Sequence, residues 1–214
     1  MIGRFRNRRE AGKRLAHELR DYANRPDLIV LALPRGGVPV GFEVAAALGA
    51  PLDAFVVRKL GLPWHEELAM GALASGGIRV LDDELIHAAR VSQHEIQRVT
   101  AAEQAELERR ERRYRGDRAF PDLQGRIVIL VDDGLATGFT MRAAITAVRE
   151  KHPARVVVAV PVAAPETCDA FRDVADDVVC VVTPEQFQAV GLWYDDFSET
   201  TDDEVHALLA RARA

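Results

Sequence analysis

Two adjacent acids at the end of an apolar run, followed by small and hydroxylated residues, carry the densest chemical signal in the chain. The stretch Asp132-Asp133-Gly134-Leu135-Ala136-Thr137-Gly138-Phe139-Thr140 directly follows the apolar run Ile127–Val131. Paired carboxylates at a strand end accept hydrogen bonds from a vicinal diol, and they offset positive charge developing on a sugar ring. Gly134 and Gly138 let the backbone turn tightly beside a ligand. Thr137 and Thr140 supply hydroxyls, and the free amides that open the next helix suit a phosphate. A plain strand-to-helix turn needs one glycine and one cap residue, not two consecutive acids and a Thr-Gly-x-Thr cradle. Neither a P-loop pattern nor a dinucleotide-binding glycine pattern after a strand occurs. The combination reads as a site for a ribose 5-phosphate.

Weaker signals sit at other strand ends. Leu33-Pro34 leads into Arg35, Gly36 and Gly37, which can present a guanidinium and amides to an anion; Arg-Gly-Gly is equally a common turn. Arg58 and Lys59 follow a second apolar run and can neutralise a polyanion, although exposed basic pairs are usually just solvated. Between Pro63 and Gly77, glycine flanks and mixed polarity suit a mobile lid, with His65 and Glu66 as candidates for proton transfer. Phe187, Trp193 and Tyr194 lie in an aromatic stretch beside acids; they read either as a stacking surface for a ring or as core or homodimer contacts.

These residues must be positioned by alternating strands and helices. Strands are expected at Leu28–Leu33, Ala54–Val57, Ile127–Val131, Arg155–Val160 and Val178–Val182, with helices at Pro39–Leu48, Thr140–Lys151 and Glu166–Val174. That alternation means a parallel sheet with right-handed crossovers, whose ligands sit at the carboxyl ends of its strands. Ser92–Arg115 breaks the pattern. It opens with a capping-box spacing, Ser92 to Glu95, and carries Glu106/Arg110 and Glu108/Arg112 at i,i+4, so a long, largely solvated, charged helix is expected there. A final helix begins at Thr201. The chain has 214 residues and a net charge of −5, so no global field draws nucleic acid. No apolar run is long enough to cross a bilayer, and no apolar stretch follows the basic residues of 1–9 as a secretory signal requires. Cys168 and Cys180 lack zinc spacing and read as buried thiols, which fits a cytoplasmic location.

The stretch VILVDDGLATGFTM resembles the motif by which type I phosphoribosyltransferases bind 5-phosphoribosyl-1-pyrophosphate (PRPP). The resemblance implies an α/β fold: a Rossmann-like parallel sheet flanked by helices, with a C-terminal hood and, here, an inserted long charged helix. It implies that Asp132 and Asp133 meet the ribose hydroxyls. It implies that Gly134 and the backbone from Ala136 through Thr137, Gly138 and Phe139 to Thr140 hold the 5-phosphate, and that Arg35, Gly36, Gly37, Arg58 and Lys59 hold the pyrophosphate. A cis peptide is expected at Arg35–Gly36. Phe139 stands where such loops usually carry a small residue, so its ring is expected to point away. Mg2+ would be held mainly through PRPP oxygens, with no metal site made by the protein. Asp132, Asp133 and Lys59 are the catalytic candidates. His65 and Glu66 are the lid candidates, and Phe187, Trp193 and Tyr194 are the acceptor-binding candidates.

Residues 1–214 are expected to form one domain, with a core over about 26–182, a helical insertion over 83–116 and a hood over 183–214. The implied reaction transfers the phosphoribosyl group from PRPP to a nitrogenous, base-like acceptor and releases pyrophosphate. Enzymes for 6-oxopurines typically carry an acid in the phosphate loop where Ala136 stands, which argues that class down. The insertion resembles a bacterial group of stand-alone phosphoribosyltransferase-like proteins with no settled acceptor. The alternative is a catalytically weak PRPP sensor whose output is binding to a partner or to nucleic acid through a basic patch of Arg109, Arg110, Arg112, Arg113 and Arg115 with the N-terminal arginines. The interleaved glutamates argue against nucleic acid. A homodimer is compatible with either reading, and a membrane partner is not expected.

Overall fold

The computed structural model describes residues 3–213. Met1, Ile2 and Ala214, at the ends of the expected single domain, lie outside the described residues. Five parallel strands form the main sheet: β1 (Leu28–Ala32), β2 (Leu52–Ala54), β6 (Ile127–Val131), β7 (Arg155–Val162) and β8 (Asp177–Val182), in the order β2-β1-β6-β7-β8. β1 and β6 are buried at every residue, as strands covered on both faces must be. Their side chains alternate between two apolar layers. Leu28, Val30, Ile127 and Ile129 face α1 (Arg8–Glu18), α2 (Gly37–Leu48) and α7 (Asp202–Arg211). Ile29, Leu31, Val128 and Leu130 face α5 (Phe139–Arg149) and α6 (Pro165–Phe171). The strand order reverses between β1 and β6, because α2 leads from β1 outward to β2 while α5 leads from β6 outward to β7. The two strand-end loops diverge there and leave a crevice, the usual ligand position in such sheets.

The second strand is Leu52–Ala54, not Ala54–Val57. The chain then leaves the main sheet and forms an antiparallel one from β3 (Val57–Leu62), β4 (His65–Ala74) and β5 (Ile78–Leu81). Arg58 and Lys59 therefore lie on β3, not at the end of a parallel strand. The Pro63–Gly77 segment is a hairpin arm rather than a loop; its pairing slips where Gly61 faces Ala69 and Leu62 faces His65, and its outer residues His65–Leu68 are exposed. Glycine misled the sequence reading. A Cβ at Gly61 would lie 2.5 Å from the Glu66 carbonyl oxygen, and one at Gly71 would strike that of Val80, so these glycines mark close strand contact.

The insertion forms α3 (Asp83–Ala88) and α4 (Gln93–Arg115), the latter opened by a full capping box between Ser92 and Glu95. α4 is not wholly solvated. It buries Ile96, Leu107 and Tyr114, and its last residue, Arg115, reaches into the core. The Arg115 side chain is 5% exposed and spends three nitrogens: Nε on Asp53 (3.1 Å), Nη1 on Glu111 (3.0 Å) and Nη2 on the Ala54 carbonyl (2.9 Å). Removing Asp53 takes away the more deeply buried of the two carboxylates that neutralise Arg115. Asp53→Ala is expected to cost about 3 kcal/mol in urea unfolding, and a loss below about 1 kcal/mol would show the pair to be dispensable.

The two cysteines are not thiols. Cys168 on α6 and Cys180 on β8 form a disulfide, with Cα atoms 6.7 Å apart. α6 packs back on β8, so a 12-residue separation brings them face to face. The pair thus lends no support to the location argued from free thiols. Among the described residues no helix is long and apolar enough to cross a membrane.

Candidate active site

The two loops at the switch point touch. A Cβ at Gly37 would lie 2.7 Å from the Val131 carbonyl oxygen and 3.0 Å from Asp132 Cα, and one at Gly36 would strike the Asp133 carboxylate. The glycines are there for that approach. They present fewer amides than expected, because Gly37 donates its own to Leu33 O (3.0 Å). The cis peptide is Pro34–Arg35, one residue before the expected bond. Arg35 is exposed and paired with Glu199.

Asp132 and Asp133 are partly buried, and each has one oxygen held and one free. Asp132 Oδ1 accepts from the Asp133 amide (2.8 Å), and Asp133 Oδ2 accepts from Arg8 Nε (2.8 Å). Asp132 Oδ2 and Asp133 Oδ1 take no bond from the described residues. Burial pushes the Asp132 carboxyl well above the ordinary range, and the neighbouring Asp133 charge pushes it further. Burial also raises Asp133, against the pull of the Arg8 guanidinium.

Beyond the acids the loop is braced from below. Leu135 pairs with the ends of β7, and Thr167 Oγ1 donates to the Ala136 carbonyl (2.7 Å). Gly138 takes a left-handed conformation (φ 70°) to begin α5, which has no side-chain cap. The first bond into the helix is Arg142 N to Gly138 O, so the amides of Phe139, Thr140 and Met141 stay free within the described residues. The same three residues line a cavity of about 170 Å³ together with Asp132, Gly134, Ala136, Thr137 and Val190 among others. Phe139 is 41% exposed and lines both this cavity and a separate, mostly apolar hollow against β4 and β5.

The remaining candidates are dispersed. Lys59 pairs with Glu67 (3.2 Å) and Arg58 with Glu103 of α4 (2.6 Å), and neither bonds to the two loops. His65 and Glu66 sit at the exposed end of the hairpin arm. Tyr194 is 4% exposed, stacked between Phe5 and Phe197, and donates to the Asp133 carbonyl (2.6 Å). Burial and the adjacent Asp133 charge push its phenol up, so it remains a donor. It offers no open ring face and acts as a brace, which corrects its reading as an acceptor platform. Phe187 and Trp193 are half-buried against the same small core. The five arginines between 109 and 115 are engaged: Arg109 and Arg110 by Glu106, Arg112 by Glu108, Arg113 by Asp202 and Asp203, Arg115 by Asp53. They form no free basic patch. Among the described residues no three His, Cys, Asp or Glu side chains gather as a metal cage.

The family model for the phosphoribosyl transferase domain matches residues 1–196. The chain belongs to the phosphoribosyltransferase family. The structure of TT1426 from Thermus thermophilus is 44% identical, covers 97% of this chain and 98% of its own, and superposes with a TM-score of 0.87. Rv0571c of Mycobacterium tuberculosis, whose name provisionally assigns it to the phosphoribosyl transferases, is 45% identical over 208 residues, 97% of this chain. The chain spans about half the length of the curated relatives it matches, 47% in that case. The AQ2163 protein of Aquifex aeolicus shares the fold at 15% identity, with a TM-score of 0.52 over 86% of this chain and 78% of its own. Membership of the family rests on a match that includes both loops of the switch point.

Sequence reasoning missed Arg8. It lies 125 residues from Asp133, and nothing in local spacing joins them. The usable clue was the start of α1: Asn7 caps the Glu10 amide (3.0 Å), and Ala11, Leu15 and Ala16 form its buried stripe.

Proposed function

We propose that this protein binds PRPP with Mg2+ at the β1–β6 switch point and transfers the phosphoribosyl group to a nitrogenous, base-like acceptor, releasing pyrophosphate. One observation carries the reading: Asp132, with one carboxylate oxygen unpartnered among the described residues, lines the same cavity as an uncapped helix N-terminus, and Asp133 follows it in the chain with a second such oxygen. That spacing of functions suits the diol and the 5-phosphate of one sugar. Asp132 Oδ2 and Asp133 Oδ1 accept from the ribose hydroxyls and offset charge on the ring as the bond to pyrophosphate breaks. The amides of Phe139, Thr140 and Met141, with Thr137 and Thr140, hold the 5-phosphate. Gly36 N and Arg35 serve the pyrophosphate once Arg35 leaves Glu199. Lys59 joins them only if the hairpin arm bends inward, and His65 and Glu66 would come with it. A magnesium ion would arrive on substrate oxygens rather than in a cage of protein ligands; bound, it would neutralise the leaving pyrophosphate. Phe187 and Trp193 remain the aromatic candidates for the acceptor. Residues 26–182 would form the core of this unit and 183–214 its hood.

The test mixes protein, Mg2+, PRPP and a panel of nitrogenous bases and reads pyrophosphate. Turnover with a base supports the transferase. Calorimetric PRPP binding without turnover on any base supports the sensing alternative. Absence of PRPP binding removes both.

A further inference from the structure

The residue that most shapes the acid pair comes from an element with no part in the motif. Arg8 is the first residue of α1, followed by Arg9. A cation at a helix N-terminus opposes the helix dipole, so local energetics disfavour it there. Residues that break a local rule usually answer to something outside their own element. Here Arg8 turns inward. Its side chain is 11% exposed, Nε donates to Asp133 Oδ2 (2.8 Å) and Nη1 donates to Ser198 O (2.7 Å). Its Cζ lies 3.9 Å from the Phe197 ring centroid and 6.0 Å from that of Tyr194. The anchoring is two-sided. Phe5 N donates to Trp193 O (2.8 Å), and Asp195 N donates to Phe5 O (2.8 Å), so the chain before α1 is stitched to the segment that carries those rings.

We infer that Arg8 is a positioning residue for the sugar site: it pins one oxygen of Asp133, sets a cation against that carboxyl, and so presents the other oxygen to the ribose hydroxyl. The inference rests on the proposed PRPP reading. Its physics is that of two acids sharing a poorly solvated corner. The groups around Asp133 are Asp132 on its own loop, Arg8 on α1 and Tyr194 on the C-terminal segment; Arg35 on the β1 loop is turned to Glu199. Arg8 is the cation that directly contacts the pair. Without it, burial and mutual repulsion favour a shared proton, and a protonated acid offers a hydroxyl donor where the diol needs an acceptor.

The experiment measures Mg–PRPP affinity by calorimetry from pH 6 to pH 9 for the wild type, Arg8→Gln, Arg8→Lys and Phe197→Leu. The expected result is that Arg8→Gln binds roughly tenfold more weakly near neutrality, with the deficit shrinking as rising pH ionises the pair in the variant too. Arg8→Lys keeps the charge and recovers part of the affinity. Phe197→Leu loosens the clasp but leaves the charge, and its ratio to wild type stays flat with pH. A second readout needs no ligand: the carboxyl carbon-13 resonance of Asp133 titrates at higher pH in Arg8→Gln than in wild type. An unshifted titration, or a deficit that does not change with pH, overturns the role given to Arg8. Wild-type protein that fails to bind PRPP while Asp133 still shifts in Arg8→Gln overturns the sugar-site reading instead. Should Arg8→Gln not fold, the comparison rests on Arg8→Lys, whose different reach and single point charge must raise the Asp133 titration by a smaller amount; no shift there also overturns the role.

Discussion

Replacing Asp132 and Asp133 together by asparagine is expected to abolish PRPP binding while the protein stays folded. Each carboxylate oxygen left free in the structure would form a charge-assisted hydrogen bond, worth about 1.5–3 kcal/mol. Two such bonds amount to about 3–6 kcal/mol, or roughly a hundredfold to ten-thousandfold in affinity. Asparagine keeps the shape but halves the acceptors and directs an amide donor at the diol. Calorimetry with Mg–PRPP checks the affinity, and urea unfolding checks the fold. Affinity within about tenfold of wild type would remove the site assignment. Stability should respond in the opposite direction. Both carboxyls titrate above their ordinary values in the folded protein because burial disfavours their charge. The folded state then binds more protons than the unfolded one, so wild-type stability falls as pH rises from the unfolded carboxylate range through the raised folded values. The double asparagine variant lacks that fall. It should therefore match or exceed wild type in urea at neutral pH, less whatever Arg8 loses with its partner.

The motif-bearing elements were legible because their patterns are strong. β1, β6 and β7, continuous apolar runs, emerged within a residue or two, as did α5, whose Met141, Ala144, Ile145 and Val148 form the buried face. The paired acids and the Thr-Gly-x-Thr loop were readable from residue types, since few other uses call for that set. The antiparallel arm was not. Its strands contain Gly61 and Gly71 and small residues such as Ala69 and Ala72, with a register shift at Leu60–Gly61, so neither β propensity nor period-two alternation survives. What the glycines permit is close backbone approach, a tertiary fact. The same limit applies to the site. Arg8, Tyr194 and Thr167 brace the loop after β6 from elements far off in sequence, and only folding brings them together. Tyr194 shows the cost of reading an aromatic by its type alone: its phenol works as a donor to the loop backbone, and its ring is unavailable for stacking.

The cradle makes the second demand on sequence, and Gly138→Ala is expected to break it. At φ 70° an alanine costs about 1 kcal/mol over glycine. Its Cβ would also lie 2.5 Å from Phe171 Cε2 and 2.8 Å from Cζ. Phe171 is fully buried at the end of α6, so the ring has nowhere to retreat, and overpacking of this kind adds about 1–3 kcal/mol. Relief comes most cheaply by lifting the start of α5, which moves the amides of Phe139, Thr140 and Met141 together. A shift of about 1 Å in such groups is enough for roughly a hundredfold loss of function. Gly138→Ala should therefore lose about 2–4 kcal/mol in urea unfolding, or keep its stability at the expense of PRPP affinity. The clash has a named partner, so a double-mutant cycle isolates it: Phe171→Leu shortens the ring and should return part of what Gly138→Ala removes. Additive losses would mean that glycine is needed there for its dihedral alone. A positive coupling would mean that α6, held to β8 by the Cys168–Cys180 bond, sets the height at which the free amides of α5 stand.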